Sequence, residues 1–115
     1  MMIDINNYRP TKELTKEILK DNNFKYIDGC YLYRFPVYKY KKEPLLWALL
    51  YVDIENNNCA INVVDDRNNT YAAYHNRKYN CKNEVVEAID RKIKAQINKF
   101  VKEEILKNKK EKVKK

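Results

Sequence analysis

Apolar side chains recur every four residues near the C-terminal end of the chain. The stripe consists of Val85, Ile89, Ile93, Ile97, Val101 and Ile105, and it is widened by Val86 and Phe100. This spacing predicts one long amphipathic helix with a single buried face. Asn83 stands just before the stripe and belongs to the residue types that cap helix N-termini.

A shorter amphipathic helix is predicted near the N-terminus. Thr11 is expected to cap it, and the helix is expected to run to about Lys20. Asn22 and Asn23 are expected to end it, since Asn tolerates the left-handed backbone conformation common at helix ends. An extended stretch should then lead to a turn at Asp28-Gly29.

Three longer segments between these helices have the composition of β-strands. Cys30 to Lys41 is rich in β-branched and aromatic residues, while Leu45 to Glu55 and Cys59 to Asp66 are joined by an Asn-rich hairpin connection. The segment from Leu45 is apolar on both faces, which predicts the central strand. Pro36 lacks a backbone donor, so the first of these strands should lie at an edge or bend there. A short further strand is predicted from Thr70 to Tyr74.

These elements together predict an α+β fold. It comprises a short N-terminal helix, an antiparallel meander of three to four strands and a long C-terminal helix packed on one face of the sheet. A length of 115 residues suits one core. Residues 1–106 are therefore expected to form a single domain, and residues 107–115 a basic tail.

Positive charge is concentrated towards the C-terminus. The formal net charge is +8, and most of it falls after residue 81. Such a tail is either a solvated chain end or a non-specific contact with nucleic acid or an acidic protein surface. The residues that would carry a nucleic-acid contact are Lys107, Lys109, Lys110, Lys112 and Lys114.

No catalytic motif is found in the sequence. The chain has no Ser and one Gly, which excludes a serine-hydrolase elbow and a Gly-rich phosphate loop. His75 has no nucleophile or orienting carboxylate near it in sequence. In the predicted hairpin Asp53 pairs with Ala60, which leaves Asp53 and Asp65 roughly 17 Å apart, against the about 4 Å that separates paired metal ions. We expect neither enzymatic activity nor a cofactor or metal.

The cysteines and the apolar runs indicate the compartment. Cys30, Cys59 and Cys81 are widely separated and odd in number, so they are expected to be reduced thiols. The longest apolar run, Leu45 to Val52, is far shorter than the roughly 20 residues that span a bilayer, and no secretory signal precedes it. A cytoplasmic location without a membrane partner is expected.

Aromatic and basic residues alternate from Tyr31 to Lys42. Tyr and Arg are enriched at the energetic centres of protein interfaces, and the same mixture can stack single-stranded bases. The alternative is that half of these rings face the core. A second such cluster, from Tyr71 to Tyr79, is expected to border the same surface. The candidate partner-binding residues are Tyr31, Tyr33, Arg34, Tyr38, Lys39, Tyr40, Tyr74, Arg77 and Tyr79.

The segments Tyr33 to Tyr38, Tyr71 to Tyr79 and Asn83 to Val86 resemble those of small proteins from phages and mobile elements of AT-rich Gram-positive bacteria. That class includes anti-CRISPR inhibitors. The resemblance implies a non-enzymatic protein of the bacterial cytoplasm that blocks a CRISPR effector nuclease by steric contact, so that a host protein or nucleoprotein complex is its partner. A nucleic-acid-binding accessory protein is the alternative, and a homodimer is compatible with either.

Overall fold

The computed structural model describes residues 3–12, 14–79 and 82–109. The elements in chain order are a 3₁₀ turn (Ile5–Asn7), β1 (Tyr8–Pro10), α1 (Lys16–Asp21), β2 (Lys25–Ile27), β3 (Cys30–Tyr40), β4 (Glu43–Asp53), β5 (Asn58–Val64), α2 (Ala72–His75), α3 (Glu84–Lys102) and β6 (Leu106–Asn108). Strands β2 to β5 form an antiparallel meander in that order, while β1 and β6 pair in a separate two-stranded sheet. The predicted α+β fold is confirmed.

Helix α3 packs its apolar stripe against one face of the four-stranded sheet. Asn83 caps the helix by accepting hydrogen bonds from the backbone N–H groups of Val85 and Val86 at 2.8 and 3.2 Å. Every second side chain of β4 joins the same core as the helix. The buried residues that meet there are Leu46, Ala48, Leu50, Val52, Ile89, Ile93 and Ile97.

The central position predicted for Leu45 to Glu55 is confirmed, because β4 lies between β3 and β5. Strand β2 pairs only with the first three residues of β3, Cys30 to Leu32. From Tyr33 onward, one side of β3 therefore has no strand partner among the described residues. Pro36 lies on this free length and is followed by an irregularity in the pairing with β4. Pro36 therefore lies on an unpaired edge, as expected, although β3 as a whole lies between β2 and β4.

The first helix begins later than predicted. Thr15, not Thr11, caps it by accepting a hydrogen bond from the backbone N–H of Ile18 at 3.2 Å. The hydroxyl of Thr11 instead donates to the backbone carbonyl of Glu104 at 2.6 Å, which ties the segment after β1 to the chain before β6. The predicted end is confirmed, since Asn23 has a φ of 71° just after the helix.

The last helix ends before its apolar stripe does. It stops at Lys102, and Glu104 adopts a φ of 63°. The backbone N–H of Ile105 then donates to the carbonyl of Phe100 at 2.9 Å, the closing bond of a Schellman motif. Ile105 is buried beyond the helix. The chain continues into β6, so Lys107 belongs to a strand and not to the predicted tail.

Of the other predicted tail residues, Lys109 follows β6 directly, and its backbone N–H donates to the carbonyl of Asn7. Lys110, Lys112 and Lys114 lie outside the described residues.

The strand predicted from Thr70 to Tyr74 is wrong. Only Thr70 forms a bridge, to Val64, and residues 72–75 are helical. The chain turns inward because the ring of Tyr74 is buried in the core. The fourth strand of the meander is instead Lys25–Ile27, before the Asp28-Gly29 turn.

No helix within the described ranges is long and apolar enough to cross a membrane.

Truncating the centre of the helix stripe should destabilise the whole domain. Ile93→Ala should lower the free energy of unfolding by about 2 to 5 kcal/mol, because it removes a fully buried side chain and leaves a cavity. Ile18→Ala, at an isoleucine that is 38% exposed, is the matched control and should cost less. Urea unfolding monitored by circular dichroism measures both, and equal losses would contradict burial of the stripe.

Glycine in place of Glu104, which has a left-handed backbone conformation just after α3, should stabilise the fold. Glu104→Gly should raise the free energy of unfolding by about 0.5 to 1 kcal/mol, because glycine adopts a positive φ without the steric cost of a side chain. Glu103→Gly, one residue earlier at a φ of −85°, should not stabilise. Thermal unfolding of the two variants compares them directly.

Candidate functional site

One face of the four-stranded sheet is largely apolar, and no other layer of the described residues packs on it. In β4, Leu45, Trp47, Leu49 and Tyr51 alternate with the core residues, so they point to the opposite side. None of these four belongs to the core cluster that includes α3. With their cross-strand neighbours Leu32 and Arg34 they form what we term the open face.

Arg34 and Trp47 are the organised centre of the open face. The guanidinium carbon of Arg34 lies 4.3 Å from the centroid of the Trp47 ring, in cation–π contact. No hydrogen bond or ion pair joins this guanidinium to the part of the chain that the structure describes. Its N–H donors therefore remain available to an acceptor outside the chain.

The other predicted aromatic residues at the start of β3 face the core side. The ring of Tyr33 lies 5.2 to 5.5 Å from the rings of Phe24, Phe35 and Phe100. Tyr31 packs against Tyr26 at 5.0 Å. Tyr33 is thus a packing residue, and Arg34 is the member of the predicted set that the structure places on the open face.

The remaining candidates on β3 lie near its far end. Tyr38 and Lys39 line a groove between β3 and α3, together with Arg91 and Lys92. Tyr40 is 56% exposed beside the β3–β4 turn. The β3 candidates are therefore divided between the core side, the open face and this groove.

The second predicted cluster does not border the open face. It follows β5, the strand at the opposite edge of the sheet from β2. Tyr74 is only 2% exposed, and its hydroxyl donates to the carboxylate of Asp90 at 2.9 Å. Burial raises the pKa of Tyr74, and the hydrogen bond to Asp90 adds to this rise.

Arg77 holds the N-terminal segment against this buried pair. Its guanidinium donates to the carbonyl of Ile3 at 2.8 Å and lies 4.5 Å from the ring of Tyr74. The backbone N–H of Ile3 donates in turn to Asp90. Of the three candidates in this cluster, Tyr79 alone is largely exposed, at 78%. Tyr74 and Arg77 serve internal packing.

His75 closes the outer edge of β5. Its Nε2 accepts a hydrogen bond from the backbone N–H of Val63 at 3.0 Å, and the carbonyl of Val63 accepts from the N–H of Tyr71 at 2.7 Å. Burial and the nearby Arg77 lower the pKa of His75. This arrangement gives the imidazole a structural role as a neutral acceptor.

The carboxylates considered for metal binding order turns. Asp53 pairs with Asn58, not with Ala60 as predicted, and its carboxylate accepts from the Asn56 side chain at 2.6 Å. Asp65 accepts from two backbone N–H groups in the next turn. These bonds lower the pKa of Asp53 and Asp65. Among the described residues no group of three or more His, Cys, Asp or Glu could hold a metal ion.

The cysteines that the structure describes are free thiols. Cys30 is half-buried and Cys59 is buried, and burial raises the pKa of Cys59 to about 12. A thiol that stays protonated at neutral pH is a poor nucleophile. Cys81 lies outside the described residues.

Trp47 and Tyr51 are the site residues that the sequence reasoning missed. The apolar character of both faces of their strand predicts a central position, but it does not by itself single out these two residues. The two helices of that prediction lie on one face of the sheet, so the second apolar face had no element to cover it. That mismatch was the available signal.

The comparisons with known proteins concern the fold. The crystal structure of a DUF1831 family protein from Lactobacillus plantarum matches this chain with a TM-score of 0.62. The match covers 92% of this chain and 93% of that protein at 12% sequence identity, so it shows a shared fold and nothing about activity. No protein-family model and no curated protein matches the chain.

The edge-closing role of His75 predicts a pH dependence of stability. Its pKa in the folded state lies below the ordinary 6.5, so below about pH 6.5 the unfolded chain binds a proton that the folded chain does not. The free energy of unfolding should therefore fall as the pH is lowered from about 7.5 to about 5.5.

His75→Gln is the matched variant for this measurement. Glutamine keeps an acceptor for the Val63 N–H but does not titrate, and His75 is the only histidine in the chain. Urea unfolding across this pH range should show a flatter dependence in the variant. An identical slope in both proteins would contradict the role assigned to His75.

Proposed function

We propose that this chain is a non-enzymatic binding protein that acts by covering a surface of another protein with its open face. The observation that carries the proposal is the cation–π pair Arg34 and Trp47 at the centre of an apolar sheet face on which no other layer of the described residues packs. Trp, Tyr and Arg are the residue types that dominate interface energies, because they combine large area with few rotatable bonds.

The charge of the open face supports an acidic patch on the partner. Arg34 has unused donors, and the neighbouring Lys25, opposite Leu32 on β2, is exposed. The carboxylate of Asp53 at the end of β4 is already engaged by Asn56. A partner carboxylate could accept two hydrogen bonds from Arg34 while an apolar side chain covers Trp47.

The phage and mobile-element class that the sequence resembles suggests the biological context. A protein of this class would inhibit an RNA-guided effector nuclease of its bacterial host by steric contact, and such nucleases are the first partners to test. Base stacking on Trp47 and Tyr51 is the competing use of the same face, and it would make the chain a nucleic-acid-binding accessory protein.

Trp47 is the only tryptophan in the chain, so the tryptophan fluorescence of this protein comes from the open face. After the emission of the nuclease alone is subtracted, we expect purified effector nuclease to shift the Trp47 emission to shorter wavelength as the ring is removed from water. Arg34→Ala should weaken this binding by about tenfold or more, as loss of an interface centre does. Tyr79→Ala, at the exposed ring beyond β5, should leave the affinity within about threefold.

The same titration with oligothymidylate separates the two uses of the face. Nucleic-acid binding should quench Trp47 and weaken steeply with salt. If the Trp47 emission responds to oligothymidylate but to no effector nuclease, nucleic-acid binding replaces protein binding as the function of this face. Equal losses in Arg34→Ala and Tyr79→Ala would refute the open face as the contact surface.

A further inference from the structure

The groove between β3 and α3 lies apart from the open face and has its own character. It has a volume of about 480 Å³ and is lined by Pro36, Val37, Tyr38, Lys39, Ala88, Arg91 and Lys92. The free edge of β3 forms one wall, and the first half of α3 forms the other. Its lining thus combines strand backbone, a few apolar side chains and three cations.

The backbone of β3 presents unpaired groups along this groove. The two-residue turn Asp28-Gly29 has φ values of 51° and 87°, the type I′ geometry in which the flanking residues Ile27 and Cys30 exchange both backbone hydrogen bonds. The backbone groups of Cys30 and Leu32 therefore point towards β2. By strand alternation those of Arg34 point to the same side, beyond the end of β2.

Pro36 comes next on this side, and it has no N–H to leave unpaired. Its carbonyl and both backbone groups of Arg34 remain without a strand partner among the described residues. An added strand would therefore meet two backbone acceptors and one backbone donor on this side of β3.

The three cations of the groove are not neutralised within the fold. Lys39 is exposed on β3, and Arg91 and Lys92 are exposed on the first half of α3. None of them forms an ion pair with an acidic side chain in the part of the chain that the structure describes. Every second side chain of a strand added to β3 would face this row of positive charge.

We propose that this groove binds an extended acidic peptide segment of another protein by strand addition to the free edge of β3. The backbone of the segment pairs with Arg34 and Pro36, and its acidic side chains, at alternate positions, lie against Lys39, Arg91 and Lys92. A protein segment fits better than nucleic acid because the edge offers backbone hydrogen bonds, and among the residues that line the groove only Tyr38 has a ring on which a base could stack. The inference does not depend on the open face.

The probe is an eight-residue synthetic peptide with Glu at alternate positions and Thr or Val between them. We expect saturable binding that is absent for the same peptide with Lys in place of Glu. The double variant Arg91→Glu with Lys92→Glu should weaken binding by about tenfold or more. Lys78→Glu, beyond the opposite edge of the sheet, and Trp47→Ala on the open face should leave it within about threefold.

Backbone pairing is tested with two further peptides, N-methylated at the odd or at the even positions. Successive N–H groups of a strand point to opposite sides, so one peptide should bind and the other should not. Hydrogen exchange at the Arg34 amide should also slow in the complex. Equal binding of both methylated peptides would show that the groove attracts the peptide by charge alone, and it would overturn strand addition.

Oligothymidylate supplies the final comparison. We expect it to bind more weakly than the acidic peptide. Tighter binding of oligothymidylate that is lost in the Arg91→Glu, Lys92→Glu variant would overturn the proposal in favour of a nucleic-acid groove. Each charge variant should unfold at the same temperature as the wild-type protein, because the substituted cations are exposed. A loss of binding in such a variant then reports on the groove and not on the fold.

Discussion

The packing of one helix on one side of a single sheet determines the rest of this structure. The apolar stripe of α3 covers the side chains Leu46, Ala48 and Leu50 of β4, which are 8%, 0% and 0% exposed. Because side chains of a strand alternate, the same strand must direct Trp47 and Leu49 to the other side. No second helix among the described residues covers that side, where Trp47 is half-buried and Leu49 is 8% exposed between its neighbours on the sheet. An apolar face without a covering layer is typical of an interaction surface.

The backbone groups at the two edges of the four-stranded sheet have different surroundings. At β5, the turn after the strand folds back so that Tyr71 and His75 satisfy the backbone groups of Val63. At β3, the partner strand β2 stops after three residues. Pro36 removes one backbone donor from the remaining edge of β3, which disfavours pairing between two copies of the chain. The edge can still pair with a segment of another protein. The open side of the molecule therefore consists of a sheet face and an adjoining edge.

The sequence predicted those elements that depend on local rules. Asn83, the four-residue stripe and the Asp28-Gly29 turn act over a few residues, and the structure contains each of them as expected. Errors arose where distant contacts decide the outcome. Thr11 is a good capping residue, but its hydroxyl bonds to Glu104, and no local pattern foretells that pairing. The positive φ of Glu104 is hidden for the same reason, since a glutamate gives no sign of it.

The same distinction applies to the candidate site. Composition identified β3 as rich in Tyr and Arg, but it could not separate Tyr33, packed among three rings, from Arg34, one residue later on the opposite side. Tyr74 was equally ambiguous, because its burial depends on a carboxylate sixteen residues away on α3. Trp47 could have been found by weighing apolar faces against the helices available to cover them. An apolar face in excess of the covering layers can thus be recognised from the sequence without any catalytic motif, and it is the face on which the proposed partner would bind.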